Sequence, residues 1–245
     1  MPRRMSPAAR AISATKIYGE GPTAVVALDD VDLDIEGGRF TSIMGPSGSG
    51  KSTLMHCLAG LDRLTSGRVM IGDTDLGTLS DDALTRLRRD RIGFVFQAYN
   101  LIPTLSAAEN IELPARIAKE ELDSAWREQV ISTLDLSDRL DHRPSELSGG
   151  QQQRVAAARA LVRSPEIVFA DEPSGNLDTR SAGELLSFLR RAVDDFGQTI
   201  VMVTHDPAAA AYSDRVVFLR DGRAVQDLAN PTVETILESV KSLET

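Results

Sequence analysis

The run Gly45-Pro46-Ser47-Gly48-Ser49-Gly50-Lys51-Ser52 has the residue types needed to hold the tail of a nucleoside triphosphate. Its glycines let the backbone curl until successive N–H groups point inward. Those donors, with the start of a following helix, can bind β- and γ-phosphates. Lys51 adds a point charge, Ser52 offers a hydroxyl to Mg2+, and Thr53 continues the run into the helix. A second reactive spot lies where the apolar run Ile167-Val168-Phe169-Ala170 ends in Asp171 and Glu172. An aspartate at such a strand end can hold Mg2+, directly or through water. Glu172, one residue on, points elsewhere and can polarise a water in line with the γ-phosphate. A third is Ser148-Gly149-Gly150-Gln151. Ser148 is a natural helix N-cap, and the two glycines allow a phosphate to approach the backbone amides closely.

These residues need elements to position them. Ala11–Tyr18 and Val25–Ile35 read as strands, separated by a loop with Gly19, Gly21 and Pro22. Arg39–Met44 is an apolar strand running straight into the glycine-rich loop, and Leu54–Leu61 is the apolar helix leading out of it. Arg68–Ile71 and Ile92–Phe96 read as further strands. Between them Ser80 caps a helix through about Arg89, with Asp81 and Asp82 at its positive end. The character then changes. Leu122, Trp126, Val130 and Leu134 share one helical face, and 103–144 holds no convincing strand. After Ser148, strands at Ile167–Ala170 and Thr199–Thr204 alternate with a helix at Ala182–Asp194. Val216–Leu219 and Arg223–Asp227 form a hairpin through Asp221-Gly222, and Val233–Leu243 is a terminal helix. The class this predicts is α/β, a phosphate-loop NTPase core with a mostly helical insertion.

Composition narrows the function classes. Of the 245 residues 27 are basic and 36 acidic, a net charge of −9, so no overall basic footprint for nucleic acid is present. Aromatic residues make up only 4%, too few for an obvious base-stacking platform. The single cysteine, Cys57, excludes an intrachain disulfide. No stretch reaches the roughly 18 apolar residues of a membrane span. Residues 1–10 carry Arg3, Arg4 and Arg10 and read as a loose basic tail, not a secretory signal. His56 and Cys57 read as structural, His142 as a surface residue, and Trp126 as packing for the insertion helix. Arg86, Arg88 and Arg89 read as a solvated face.

From Ile12 to Leu228 the chain resembles the ATP-binding subunits of ABC transporters. Gly45–Ser52 matches the Walker A motif, Leu147–Arg154 the family signature, and Ile167–Glu172 the Walker B strand with its catalytic glutamate. Gln97 matches the Q-loop glutamine, Ser174-Gly175-Asn176-Leu177-Asp178 the D-loop, and His205 the switch histidine. Tyr18 sits where the family stacks a ring on adenine. The run Phe94–Pro103, with Glu109–Pro114 and Ala170–Asp178, is similar to the lipoprotein-releasing and macrolide-exporter branch, and the cell-division ATPase of that branch is also close.

The resemblance implies the ABC ATPase type of fold, with an antiparallel β subdomain, an ATP-binding domain over 11–228, a helical subdomain inserted at 98–162, and a C-terminal helical tail over 229–245. It implies Mg-ATP hydrolysis with Glu172, His205, Lys51 and Gln97 as catalytic residues. Ser52, Gln97 and Asp171 would serve the metal. Tyr18, Gly45–Thr53, Ser148–Gln151 and Asp178 would contact nucleotide. A second ATPase subunit, an identical copy or a relative, would complete each site. A membrane permease docking near Gln97 and the insertion would hold the chain at the cytoplasmic face of the inner membrane. The cargo would be a lipoprotein, peptide or drug-like molecule. Cell-division or envelope work without a solute is the alternative, and long coiled-coil repair ATPases do not fit because no sustained heptads are present.

Overall fold

The computed structural model describes residues 7–244. In chain order the strands are β1 (Pro7–Tyr18), β2 (Val25–Glu36), β3 (Phe40–Met44), β4 (Ser66–Ile71), β5 (Thr74–Asp75), β6 (Ile92–Phe96), β7 (Ile167–Asp171), β8 (Ile200–Val203), β9 (Arg215–Arg220) and β10 (Arg223–Ala229). The helices are α1 (Lys51–Leu58), α2 (Asp81–Arg91), α3 (Ala107–Ala118), α4 (Ser124–Thr133), α5 (Gly149–Leu161), α6 (Thr179–Phe196), α7 (Pro207–Ala210) and α8 (Val233–Glu244). Two sheets result. The smaller has the order β2-β1-β4-β5 and is antiparallel. The larger has the order β10-β9-β3-β8-β7-β6, with β3, β6, β7, β8 and β9 parallel and β10 turned back as a hairpin.

The central strands are mostly apolar and buried on both sides, because both faces of the large sheet are covered. Ile167 and Phe169 of β7, with Val201 and Val203 of β8, enter one core together with α1, α2 and the small sheet. Val168 and Ala170, with Ile200 and Met202, enter the opposite core with α3, α4, α5 and α6. The helix that leaves the glycine-rich loop and the helix that Ser148 opens therefore pack on opposite faces of one sheet.

The expected elements hold, with shifted ends. Ser80 caps α2 by accepting from the Ala83 N–H. The hairpin turn has both Asp221 (φ 51°) and Gly222 (φ 76°) in the left-handed region, as its dipeptide predicts. Trp126 packs the insertion, donating from Nε1 to the Leu161 carbonyl at 3.0 Å and meeting the Phe196 ring edge-on at 5.0 Å. Its helix is shorter than the apolar period, because Asp123 caps it just after Leu122. No strand lies between 103 and 144.

Two readings need correcting. The basic tail is not loose from Pro7 onward: backbone pairing to β2 and β4 recruits Pro7–Arg10 into β1, and Arg10 lies 3.2 Å from Asp34. Arg3 and Arg4 fall outside the described residues. Nor is the arginine face of α2 wholly solvated. Arg88 reaches back to the Gly60 carbonyl at 2.7 Å, and Arg89 pairs with Asp90. Among the described residues no helix is long and apolar enough to cross a membrane.

Burial pushes the Cys57 thiol up to about 12, so it stays unreactive at neutral pH while the fold is intact. Phe169, fully buried at the sheet centre, supplies the perturbation that exposes it. Phe169→Ala should cost about 3–5 kcal/mol. The expected result is a lower denaturation midpoint and faster Cys57 labelling by a thiol reagent. Labelling as slow as in the parent chain would contradict this account of the core.

Candidate nucleotide site

Strand register assembles the site. Phe96 pairs with Asp171, Asp171 with Val203, and Val203 with Ile43, so four parallel strands end at one level. Gln97, Glu172, His205 and the glycine-rich loop come directly after those ends, although they lie far apart in the chain. Open α/β sheets place ligands at such carboxyl ends.

The loop itself is held by close backbone approach. A Cβ at Gly45 (φ 150°) would lie 2.1 Å from the Leu219 carbonyl oxygen, and one at Gly50 (φ 98°) 2.3 Å from that of Ala27. No side chain fits at either place, so β9 and β2 clamp the loop from two sides. Pro46, Ser47 and Gly48 are exposed, whereas Ser49 is buried and its hydroxyl has no hydrogen-bond partner among the described residues. Lys51 opens α1 and is mostly buried; its Nζ donates to the Pro46 carbonyl at 2.7 Å. Burial pushes its pKa down, and the charges of Glu172 and Asp171 pull it back up. A buried ammonium bonded to one carbonyl and an orphaned hydroxyl beside it fit an anion in the loop.

The Ser52 hydroxyl lies beside the Asp171 carboxylate. Burial pushes that carboxyl above its ordinary range, the His56 ring 4.0 Å away pulls it down, and neighbouring Glu172 adds to the rise. Hydroxyl, carboxylate and the Gln97 amide form an all-oxygen set of the kind Mg2+ accepts, so the residues present fit that ion. Such an ion, held by Ser52, Gln97 and Asp171, would supply positive charge to offset that of the phosphates.

Glu172 adopts a left-handed conformation (φ 45°), while its N–H donates to Val203. That turn carries its side chain to His205, whose Nδ1 lies 2.8 Å from Oε1 and 2.7 Å from Oε2. A carboxylate only accepts, so Nδ1 is the donor.

Tyr18 ends β1 with an exposed ring. Its hydroxyl donates to Asp62 at 2.6 Å, and Lys16 Nζ lies 4.8 Å from the ring centre. Burial raises the Tyr18 pKa, Asp62 raises it further, and a hydrogen bond with Thr53 works the other way.

The remaining sequence-derived residues lie elsewhere. Ser148 caps α5 in a reciprocal box with Gln151, accepting from its N–H at 3.3 Å and donating to its Oε1 at 2.9 Å. Gly149 faces the Tyr99 hydroxyl and Gly150 the Ser181 hydroxyl. Asp178 caps α6, accepting from the Arg180 and Ser181 N–H groups. The fold thus gathers Gly45–Thr53, Gln97, Asp171, Glu172 and His205 at one sheet edge. The signature turn starts a helix on the other face.

Sequence reasoning missed three neighbours. His56, read as structural, sits one helical turn beyond Ser52 and faces Asp171; the i, i+4 spacing was the available signal. Asp62 fastens Tyr18 and Lys16, and nothing local marks it. Gln153 is fully buried. Its Nε2 donates to the carbonyls of Pro173 at 2.7 Å and Phe96 at 3.2 Å, tying α5 to the segments that carry Glu172 and Gln97.

A phosphate loop at a parallel strand end, with carboxylates on the neighbouring strand, defines a P-loop nucleotide-binding fold. Residues 28–175 match the profile described as ABC transporter. The macrolide export ATP-binding/permease protein MacB of Hyphomonas neptunium is 48% identical over 219 residues, covering 88% of this chain and 34% of MacB. The chain therefore spans about a third of that relative. An uncharacterized ABC transporter ATP-binding protein of Methanocaldococcus jannaschii, MJ0796, is 44% identical over 88% of this chain and 94% of its own length. The solved dimeric structure of MJ0796 superposes with a TM-score of 0.82 at 40% identity, covering 91% of this chain and 99% of that one. The chain belongs to the ABC transporter family, and its fold is the ABC ATPase fold with an antiparallel β subdomain and a helical insertion.

Replacing Lys51 with Ala removes a charge-assisted donor worth about 1.5–3 kcal/mol. ATP affinity measured calorimetrically with Mg2+ should fall by about one to two orders of magnitude. Unchanged affinity would contradict the cradle.

Proposed function

We propose that the chain is the ATP-binding and hydrolysing subunit of an ABC exporter and that two copies close around two ATP molecules. One observation carries this reading: the phosphate-loop helix α1 and the signature helix α5 pack on opposite faces of the same sheet. A triphosphate seated at Lys51 and Ser52 leaves the Ser148 turn of its own chain unused. A second copy supplies that turn. The solved MJ0796 cassette is dimeric, and another of its structures is described as a post-hydrolysis state bound to ADP and Pi.

In this reading Gly45–Thr53 hold the phosphates, Tyr18 stacks on the adenine, and Ser52, Gln97 and Asp171 hold Mg2+. Glu172 accepts a proton from the attacking water, and His205 fixes the Glu172 carboxylate through Nδ1. Ser148–Gln151 of the second copy close over the γ-phosphate with backbone N–H groups. Asp178, a helix cap in the free chain, lies in the D-loop beside the same interface. The nucleotide-binding domain runs over 11–228, with 98–162 as the helical subdomain and 229–245 as a tail.

The reading also calls for a membrane permease. A cavity of about 440 Å3 opens beside the Gln97 strand, lined by Phe96, Asn100, Leu113, Pro114 and Ile117. Ile117 is 64% exposed there, an apolar side chain suited to an apolar partner segment. The chain is then peripheral at the cytoplasmic face of the inner membrane. Similarity to the ATP-binding third of MacB favours export or extraction of a drug-like, peptide or lipoprotein cargo.

Glu172→Gln removes the water-activating carboxylate and leaves Lys51 and Ser52 in place. With Mg2+ and ATP it should form a persistent dimer by light scattering. Adding Ser148→Arg puts bulk and charge where the other copy's phosphate approaches, and the dimer should be lost. A double variant that pairs as tightly as Glu172→Gln would refute the cross-chain role of Ser148.

A further inference from the structure

Gln97 can serve a metal only through Oε1, since its Nε2 has no free lone pair to offer. An amide at the end of a rotatable side chain presents either end with equal ease unless a neighbour chooses. In this fold a neighbour does. Asn176 donates from Nδ2 to the backbone carbonyl of Gln97 at 3.1 Å. A backbone carbonyl accepts and never donates, so this bond fixes which end of the Asn176 amide faces Gln97's backbone. The Asn176 oxygen is thereby turned to the Gln97 side chain, where Nε2 donates to it at 3.2 Å. The two bonds form a chain with a single consistent arrangement: nitrogen toward Asn176, Oε1 away from it. Gly175 makes room for the contact, because a Cβ there would lie 2.8 Å from Gln97 Nε2 and 3.4 Å from Gln97 Cδ. The backbone supports it too, since the Gly175 N–H donates to the Glu172 carbonyl at 3.0 Å.

We propose that Asn176 is a positioning residue that fixes the Gln97 side-chain amide with its oxygen free to ligate the nucleotide-bound metal. The inference rests on the assignment of Gln97 as a metal ligand made above. Asn176 touches no reacting atom; it acts by removing the half of Gln97's orientations that present an amide nitrogen to a cation. Partners of this kind, one shell outside a ligand, set its orientation in metal sites generally. Asn176 lies four residues after Glu172, so the segment that carries the water-activating carboxylate also orients the ligand on the neighbouring strand.

The test uses the full chain carrying Glu172→Gln, which stops turnover, and Ser148→Arg, which blocks pairing, with light scattering checking that it stays a monomer in Mg2+ and ATP. ATP affinity is measured calorimetrically in Mg2+ and again in EDTA, and the ratio of the two reports metal coordination. Asn176→Ala should lower that ratio by about two- to tenfold, the range of one ordinary hydrogen bond, with affinity in EDTA unchanged. Gln97→Ala should lower it at least as far. Adding Asn176→Ala to Gln97→Ala should produce no further fall, because no ligand is left to orient. Asn176 is exposed, so its loss leaves the core untouched. An unchanged ratio for Asn176→Ala, a further fall in the double variant, or an equal loss in EDTA would each overturn the positioning role while leaving Gln97 a ligand. An unchanged ratio for Gln97→Ala would overturn the ligand assignment and this inference with it.

Discussion

Four parallel strands must end at one level for this protein to have a site, and the register of their backbone pairing defines that level. A slip of one residue in β7 would move Asp171 away from Ser52 and turn Phe169 into the opposite core. Both faces of the sheet are apolar, so hydrophobic pattern on its own resists such a slip weakly. The asymmetry of size does the selecting. Phe169 on one face and Ala170 on the other are not interchangeable in close-packed cores, and β8 reverses the contrast, with Val201 and Val203 on the Phe169 face and Ile200 and Met202 on the Ala170 face.

Given that register, the chemistry depends on the residues just beyond each strand end. Gly45 and Gly50 let the loop pass under the Leu219 and Ala27 carbonyls, which fixes the start of α1 against the sheet. Glu172 accepts an uncommon backbone conformation to bring its carboxylate to His205, at a cost of order 1 kcal/mol or more that the surrounding pairing sustains. Strained backbone at the residue assigned to activate water, and relaxed geometry in the strand before it, is the distribution expected where a site is held by its scaffold.

Much of this was legible in the amino-acid sequence because the motifs are local. The glycine spacing, the apolar run into Asp171-Glu172 and the Ser148 cap each announce their own geometry within a few residues. The strand ends were less legible: Pro7–Arg10 carry no β pattern of their own and are strands because β2 and β4 offer them partners. Asp62 was illegible for a related reason, and so were the contacts of Asn176 and Gln153, although both fall in runs matched to family motifs. Each acts on a residue from another part of the chain, so no periodicity or spacing near it marks the role. His56 is the intermediate case, since its helical offset from Ser52 was visible but not the strand it faces.

Gln153 gives the molecule a mechanical property beyond any one pocket. Its buried amide spans two carbonyls, that of Phe96 at the end of β6 and that of Pro173 in the turn after β7, and so ties α5 to both. Pulling either carbonyl away would strand a buried polar group, which costs about 1–3 kcal/mol. The helix is therefore obliged to tilt whenever those strand ends shift. In the proposed head-to-tail pair, a shift of either strand end would reach the other copy's nucleotide through this helix. Such a pair would have two sites linked through α5 rather than two independent ones.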